Sequence, residues 1–315
     1  MKAALGTIPW FVSLLLLPPL SGQEEQKTGP VLPEGTKAHR DLAYVVDGHV
    51  RQKLDVFLPP NAKSAPLVVW VHGGAWLGGD KAQCPALRLL GEGFAVASVN
   101  YRLSRHAVFP AQIEDVKAAV RWLRANADRF GYDGNCIGAW GASAGGHLVA
   151  LLGTSPGAPE LEAGSKGAAS TRVQAVCDFF GPTDLLQMGN QSGPNSRLDH
   201  DAADSPESRL VGGPIQERRE LAQKANPIRY VSADDPPFLI LHGDKDDLVP
   251  LGQSRLLHEA LEKAGVRSTF HVVAGAGHGF GGRDIDAMVS EFFKRHLKGE
   301  KSVPTQPAQR EKSSP

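Results

Sequence analysis

Short runs of consecutive apolar residues recur along the chain, and the stretches between them return to apolar positions every three or four residues. The runs are Leu67–Val71, Phe94–Val99, Ile137–Trp140, Val173–Phe180, Phe238–Leu241 and Thr269–Val273. Strands this uniformly apolar are expected where both faces of a sheet are covered. In one intervening stretch Ile113, Val116, Val120 and Leu123 share a stripe, while Glu114, Lys117, Arg121 and Arg124 lie off it. Leu256, Leu257 and Leu261 do the same before Gly265, and Ile285, Met288, Val289, Phe292 and Phe293 form a last helix. The alternation predicts an α/β fold with a mostly parallel central sheet and helices on both faces. Ahead of it, Asp41–Val46 and Lys53–Leu58 flank Asp47-Gly48 and read as a hairpin.

Residues 187–225 break the rhythm, being long, polar and punctuated by Pro and Gly inside the domain. A segment of that kind reads as a small cap-like insertion over a pocket. The domain itself is expected over 39–298, with a flexible leader at 23–38 and a disordered tail at 299–315. The first 22 residues read as a signal peptide: Met1-Lys2, an apolar run from Ile8 to Leu17, Pro18-Pro19, then Ser21-Gly22. Export, to the periplasm or out of the cell, is the expectation. The apolar run is too short for a comfortable membrane span, so no stable insertion is expected after cleavage. No room is expected before Tyr44 for an N-terminal propeller.

Composition narrows the partners. Lys plus Arg and Asp plus Glu each number 34 in 315 residues, so no global charge favours nucleic acid. A small-molecule or polysaccharide substrate fits this balance. The three cysteines, Cys84, Cys136 and Cys177, are odd in number and widely spaced, with Cys136 and Cys177 at or inside core strands, and are expected to be buried and unpaired. No CxxC or Cys/His cluster points to a metal, and no cofactor is expected. Gly277-x-Gly279-x-x-Gly282 matches a dinucleotide fingerprint but has no further strand with an acidic residue beyond it.

The chemistry concentrates in a few segments. Gly141-Ala142-Ser143-Ala144-Gly145 follows an apolar strand and opens a helical stretch with Leu148, Val149, Leu151 and Leu152. This is the strand–turn–helix setting of a nucleophile elbow, in which a strained serine stands clear of the sheet. His72-Gly73-Gly74-Ala75-Trp76 follows another buried strand, where an oxyanion loop belongs. Gly74 and Ala75, with Ala144 after the serine, are the candidate N–H donors to an oxyanion, and Gly73 shapes the loop. An acid and then a base must follow in the sequence. His278, after the strand ending at Val273, is the candidate base. Asp246, after the strand ending at Leu241, is the preferred acid, with Asp247 its nearest rival. Asp244 is read as shaping its own turn and Asp184 as a helix N-cap. His147 is expected to pack or bond locally, and His72 to brace the oxyanion loop.

These pieces, with Asn100-Tyr101-Arg102-Leu103, Phe109-Pro110-Ala111-Gln112 and Asp235-Pro236-Pro237-Phe238, resemble the α/β-hydrolase superfamily from roughly Tyr44 to Leu297. The branch they look like is BD-FAE, close to the hormone-sensitive-lipase-like esterases. The resemblance implies a sheet of about eight strands, no cofactor, and acyl-ester hydrolysis through an acyl-enzyme. Short acyl esters or acetyl and feruloyl decorations of plant hemicellulose are the implied substrates. An amidase or peptidase with the same residues, and a catalytically silent binding protein, are the alternatives.

Overall fold

Eight strands build the sheet: β1 (Lys37–Ala43), β2 (Lys53–Leu58), β3 (Ala65–Val71), β4 (Ala95–Val99), β5 (Tyr132–Ala142), β6 (Ala175–Phe179), β7 (Phe238–Gly243) and β8 (Ser268–Val273). The structure, a computed structural model, describes residues 32–60, 63–162 and 169–300. The segment read as a signal peptide, most of the leader and nearly all of the tail lie outside the described residues. The strand order is β1-β2-β4-β3-β5-β6-β7-β8. β2 is antiparallel to both β1 and β4, and every later neighbour is parallel. The helices are α1 (Ala111–Ala125), α2 (Ala127–Phe130), α3 (Ala144–Thr154), α4 (Met188–Gln191), α5 (Pro206–Val211), α6 (Arg219–Lys224), α7 (Leu251–Lys263) and α8 (Arg283–Leu297).

Burial on both faces explains the continuous apolar runs. Along β3, Leu67, Val69 and Val71 enter one core with the α1 stripe and Leu148, Leu257 and Leu261. Val68 and Trp70 point the other way, into a second core with Leu89, Phe94, Ile285, Val289 and Phe293. Each such side chain contributes about 1.5–3 kcal/mol by leaving water. The central strands are therefore a stiff platform, and their carboxyl ends are where a ligand site forms in such sheets.

Three local expectations are corrected. β1 runs from Lys37 to Ala43 rather than from Asp41 to Val46, so it begins inside the stretch read as a leader. Pairing ends at Ala43 opposite Lys53, and the turn is wider than Asp47-Gly48 suggested. The Gln52 side chain accepts from His49 N (2.7 Å) and its carbonyl from Tyr44 N (3.2 Å), which closes a longer loop and leaves Val46 exposed. Cys136 is only half-buried, with its thiol on Leu297 O, whereas Cys84 and Cys177 are buried; all three are free.

The 187–225 insertion is more firmly packed than its polar composition suggests. Met188, Leu210, Val211, Ile215, Ala222 and Ala225 are buried and join the first core. Ser205 caps α5 by accepting from Ser208 N at 3.1 Å, and Pro206 occupies the first turn, where no N–H is needed.

Candidate active site

β3, β5, β7 and β8 each end in a loop that supplies one part of the site. At the end of β5 the chain turns through Ser143, whose φ of 54° and ψ of −123° lie where a side chain is strained. Ser143 N donates to Phe179 O at 2.8 Å, which holds the turn against β6. The flanking glycines are required by contact: a β-carbon on Gly141 would strike Gly145 O, and one on Gly145 would strike Val71 O. Strand and helix close on each other only because both lack it.

His278 and Asp246 come from the loops after β8 and β7. Ser143 Oγ donates to His278 Nε2 at 2.9 Å, and His278 Nδ1 donates to Asp246 Oδ2 at 2.7 Å. The tautomer follows from chemistry, because a carboxylate only accepts. Asp246 Oδ1 accepts from Leu248 N and Val249 N, both at 2.9 Å. Burial pushes the Asp246 carboxyl up, but hydrogen bonds from His242 and His278, the His278 charge and the Val249 N–H outweigh it, holding it well below the usual carboxylate range.

His242 has no assigned role in the sequence reading. It is the penultimate residue of β7, is fully buried, and its Nε2–H lies 2.9 Å from Val249 O and 3.1 Å from Asp246 Oδ2. Its Nδ1 accepts from Ser254 Oγ at 2.7 Å. It therefore holds the Asp246 carboxylate at the same oxygen that His278 uses. Its signal in the sequence is its place at the carboxyl end of the strand, four residues before Asp246.

The rival carboxylates go elsewhere. Asp247 pairs with Arg197 Nε of the insertion at 2.9 Å. Asp184 caps a helical turn, accepting from Leu186 N at 3.1 Å, as expected. Asp244 accepts from Gly275 N at 2.7 Å, so it ties its loop to the next one rather than shaping its own turn. His147 is also not local: its Nε2 donates to Ala225 O at 2.7 Å, and burial pushes its pKa down to about 4.

On the other side of Ser143, Gly74, Ala75 and Trp76 all have positive φ, at 106°, 54° and 57°. A β-carbon at Gly74 would sit 2.7 Å from the Gly78 carbonyl group. Gly74, Ala75 and Ala144 donate their N–H groups to no acceptor among the described residues. His72 braces the loop beneath. It stacks on Tyr101 at 4.5 Å, holds Gly73 O with Nδ1 at 2.7 Å and accepts from Arg51 Nη2 at 3.0 Å. Burial pushes its pKa down to about 4, so the ring is neutral. Arg51 continues to Gly79 O and Asn100 Oδ1.

Ser143 opens on a cavity of about 60 Å³ lined by Ala75, Trp76, Ala144, Val249 and His278, with Leu198, Pro206 and Glu207 contributed by the insertion. A groove of about 480 Å³ with mixed polar and apolar walls runs beside it, between residues 191–196 and the loop carrying Asp246, and shares Leu248 with the cavity. The arrangement can lower the barrier for attack of a hydroxyl on a carbonyl, with proton transfer to an oriented imidazole. Among the described residues no group of three or more His, Cys, Asp or Glu could hold a metal ion, and no helix is long and apolar enough to cross a membrane.

Comparison with known proteins agrees with this architecture. The BD-FAE family profile matches residues 54–261. The esterase LipC of Mycobacterium tuberculosis is 36% identical over 235 residues, covering 73% of this chain and 57% of that protein. The chain spans little more than half the length of the curated relatives it matches. A truncated carbohydrate esterase from gut microbiota superposes with a TM-score of 0.76 at 36% identity, over 85% of this chain and 99% of that one. An acetyl ester-xyloside bifunctional hydrolase from Caldicellulosiruptor lactoaceticus superposes with a TM-score of 0.62 at 25% identity, over 78% and 86%.

Proposed function

The chain belongs to the BD-FAE family, and from that premise we propose that it is a serine carboxylic ester hydrolase that removes short acyl groups, acetyl above all, from carbohydrate esters. The observation that carries the reading is the unbroken line Ser143 Oγ, His278, Asp246 at the mouth of a small cavity. His278 Nε2 takes the Ser143 proton as Oγ attacks the ester carbonyl, then returns it to the leaving alcohol. Asp246 keeps the imidazole in the right tautomer and stabilises its cation. The N–H groups of Gly74, Ala75 and Ala144 receive the developing oxyanion; one such donor is worth about 3 kcal/mol in the transition state. Water then attacks the acyl-enzyme by the reverse route.

Cavity size supports the short-acyl branch. A cavity of only about 60 Å³ beside Ser143 favours a small acyl group over a bulky aromatic one. The polar side chains on the walls of the neighbouring groove, Gln191, Asn195, Lys245 and Asp247, support a polyhydroxylated alcohol portion. The two solved relatives, a carbohydrate esterase and an acetyl ester-xyloside bifunctional hydrolase, support the same substrate class. Export belongs to the proposal through the sequence of residues 1–22 alone.

The test is acid release from acetylated, feruloylated plant xylan, with Ser143→Ala as the blank. Acetate above the blank with no ferulate is expected. Ferulate without acetate contradicts the short-acyl reading. Release of neither, with turnover of short synthetic esters, removes the cell-wall substrate and leaves a small-ester carboxylesterase.

A further inference from the structure

The loop between β1 and β2 sends one side chain beneath the oxyanion loop. Arg51, its side chain 15% exposed, directs Nε to Tyr101 O at 2.9 Å. Its Nη2 reaches His72 Nε2 and Gly79 O, both at 3.0 Å, and Asn100 Oδ1 at 3.2 Å. The neutral His72 ring carries its proton on one of two nitrogens, and two acceptors compete for it. Gly73 O lies 2.7 Å from Nδ1. The rival is the Asn100 amide oxygen, which shares Arg51 Nη2 with His72 Nε2 and is an acceptor within hydrogen-bonding range of the ring. That oxygen is fixed in place, because Lys81 N donates to it at 2.7 Å and Asn100 Nδ2 donates to Asp80 Oδ2 at 2.8 Å. A guanidinium only donates, so Arg51 takes up the Nε2 lone pair and leaves the proton on Nδ1, bonded to Gly73 O.

The consequence falls on one peptide plane. Gly73 and Gly74 both lack a β-carbon, so the unit between them turns with little steric resistance and needs an outside restraint. The His72 bond supplies it by holding Gly73 O. Gly79 packs over that bond, since a β-carbon there would strike both Gly73 O and His72 Nδ1, and Arg51 holds the Gly79 carbonyl as well. The Gly73–Gly74 peptide is trans, so the Gly74 N–H faces away from the held carbonyl. We propose that Arg51 is a positioning residue for the oxyanion hole, keeping His72 in the Nδ1–H tautomer and so keeping the Gly74 N–H turned toward the reacting carbonyl. This rests on the esterase reading above. Without the guanidinium the His72 proton can pass to Nε2 and bond to Asn100. The Nδ1 lone pair then faces the lone pairs of Gly73 O, and the peptide rotates away, taking the donor with it. The effect of Arg51 is therefore felt only where negative charge develops on the acyl oxygen.

Trifluoroacetone and ethyl acetate separate that effect from general damage. Ser143 adds to the carbonyl of trifluoroacetone and leaves a charged oxygen in the hole, so its inhibition constant reads the donors. Arg51→Met should raise that constant at least about tenfold, a part of the roughly 10²–10³-fold that one donor supplies. KM for ethyl acetate should stay within about threefold, as expected for an interaction made only in the transition state. Neither constant depends on how much of the protein is folded. In His72→Asn, whose amide can donate to Gly73 O and has no second tautomer, removing Arg51 as well should change the inhibition constant by no more than about threefold. A long-range proton–nitrogen spectrum of histidine-labelled protein reads the tautomer, with His72→Asn identifying the signal. The unaltered protein should show Nδ1–H at His72, and Arg51→Met should show Nε2–H. Nε2–H in the unaltered protein overturns the proposal, even where Arg51→Met does not fold. An unchanged inhibition constant in Arg51→Met, or a full further loss on adding it to His72→Asn, overturns it while leaving the esterase standing. An unaltered protein that neither hydrolyses ethyl acetate nor binds trifluoroacetone removes the esterase reading, and this proposal with it.

Discussion

Below the Ser143 cavity lie the carboxyl ends of β3, β5, β7 and β8, held in register by backbone pairing. Above it lies the 187–225 insertion, held there by buried side chains and a few scattered bonds, among them Arg197 N to Asp247 O and Phe109 N to Leu210 O. The floor places its reactive groups through main-chain geometry: the Ser143 turn fastened to Phe179 O, and the Asp246 carboxylate held by Leu248 N and Val249 N. The roof is tied down at scattered long-range points, such as Arg197 on Asp247 and Ala225 O on His147. A floor built this way fixes the reaction, and a roof built this way can change its selectivity without disturbing the chemistry.

Two neighbouring aspartates sharpen that contrast most. Asp246 belongs to the floor and faces His278, whereas Asp247 faces Arg197 of the roof. Asp246→Asn should lower kcat/KM for a short ester by about 10⁴-fold, by spoiling the tautomer and the stabilisation of the imidazolium. Asp247→Asn breaks an exposed ion pair, of the kind worth about 0–1 kcal/mol, and should cost no more than a few-fold. Steady-state kinetics on both variants decides between them. Equal losses would mean that the acid is misassigned.

A smaller effect is expected at the tie between the two regions. His147 is buried with its pKa pushed down to about 4, against an ordinary 6.5. The unfolded chain therefore takes up the proton first. The stability of the neutral, buried ring is intact above pH 6.5 and is lost as pH falls towards 4, by up to about 3 kcal/mol. His147→Gln can still donate to Ala225 O but does not titrate. Urea unfolding at pH 7 and pH 5 should show the unaltered protein losing stability relative to this variant. Parallel losses would mean that His147 is not held neutral.

The same division separates what the sequence discloses from what it conceals. Ser143 and His278 are legible because an elbow and a post-strand histidine impose local patterns: glycines where strand and helix touch, apolar runs ending at the right place. Adjacent in the sequence, Asp246 and Asp247 are told apart there by little. What separates them physically is the Asp246 turn and His242, and the latter is a contact between side chains. The roof was legible only as an interruption. Its polar composition hid the buried Leu210, Val211 and Ile215, and nothing local joins Glu207 to His200 or His147 to Ala225. The hairpin misreading has the same cause, since the Gln52 side chain rather than Asp47-Gly48 sets the loop.

The central claim is that Ser143 is an activated nucleophile, and a serine-directed phosphonate tests it directly. Intact protein should gain the mass of one adduct, mapped to the peptide containing Ser143, in step with loss of ester hydrolysis, and Ser143→Ala should gain none. Hydrolysis that persists without an adduct at Ser143, or an adduct mapped to another residue, would contradict the account.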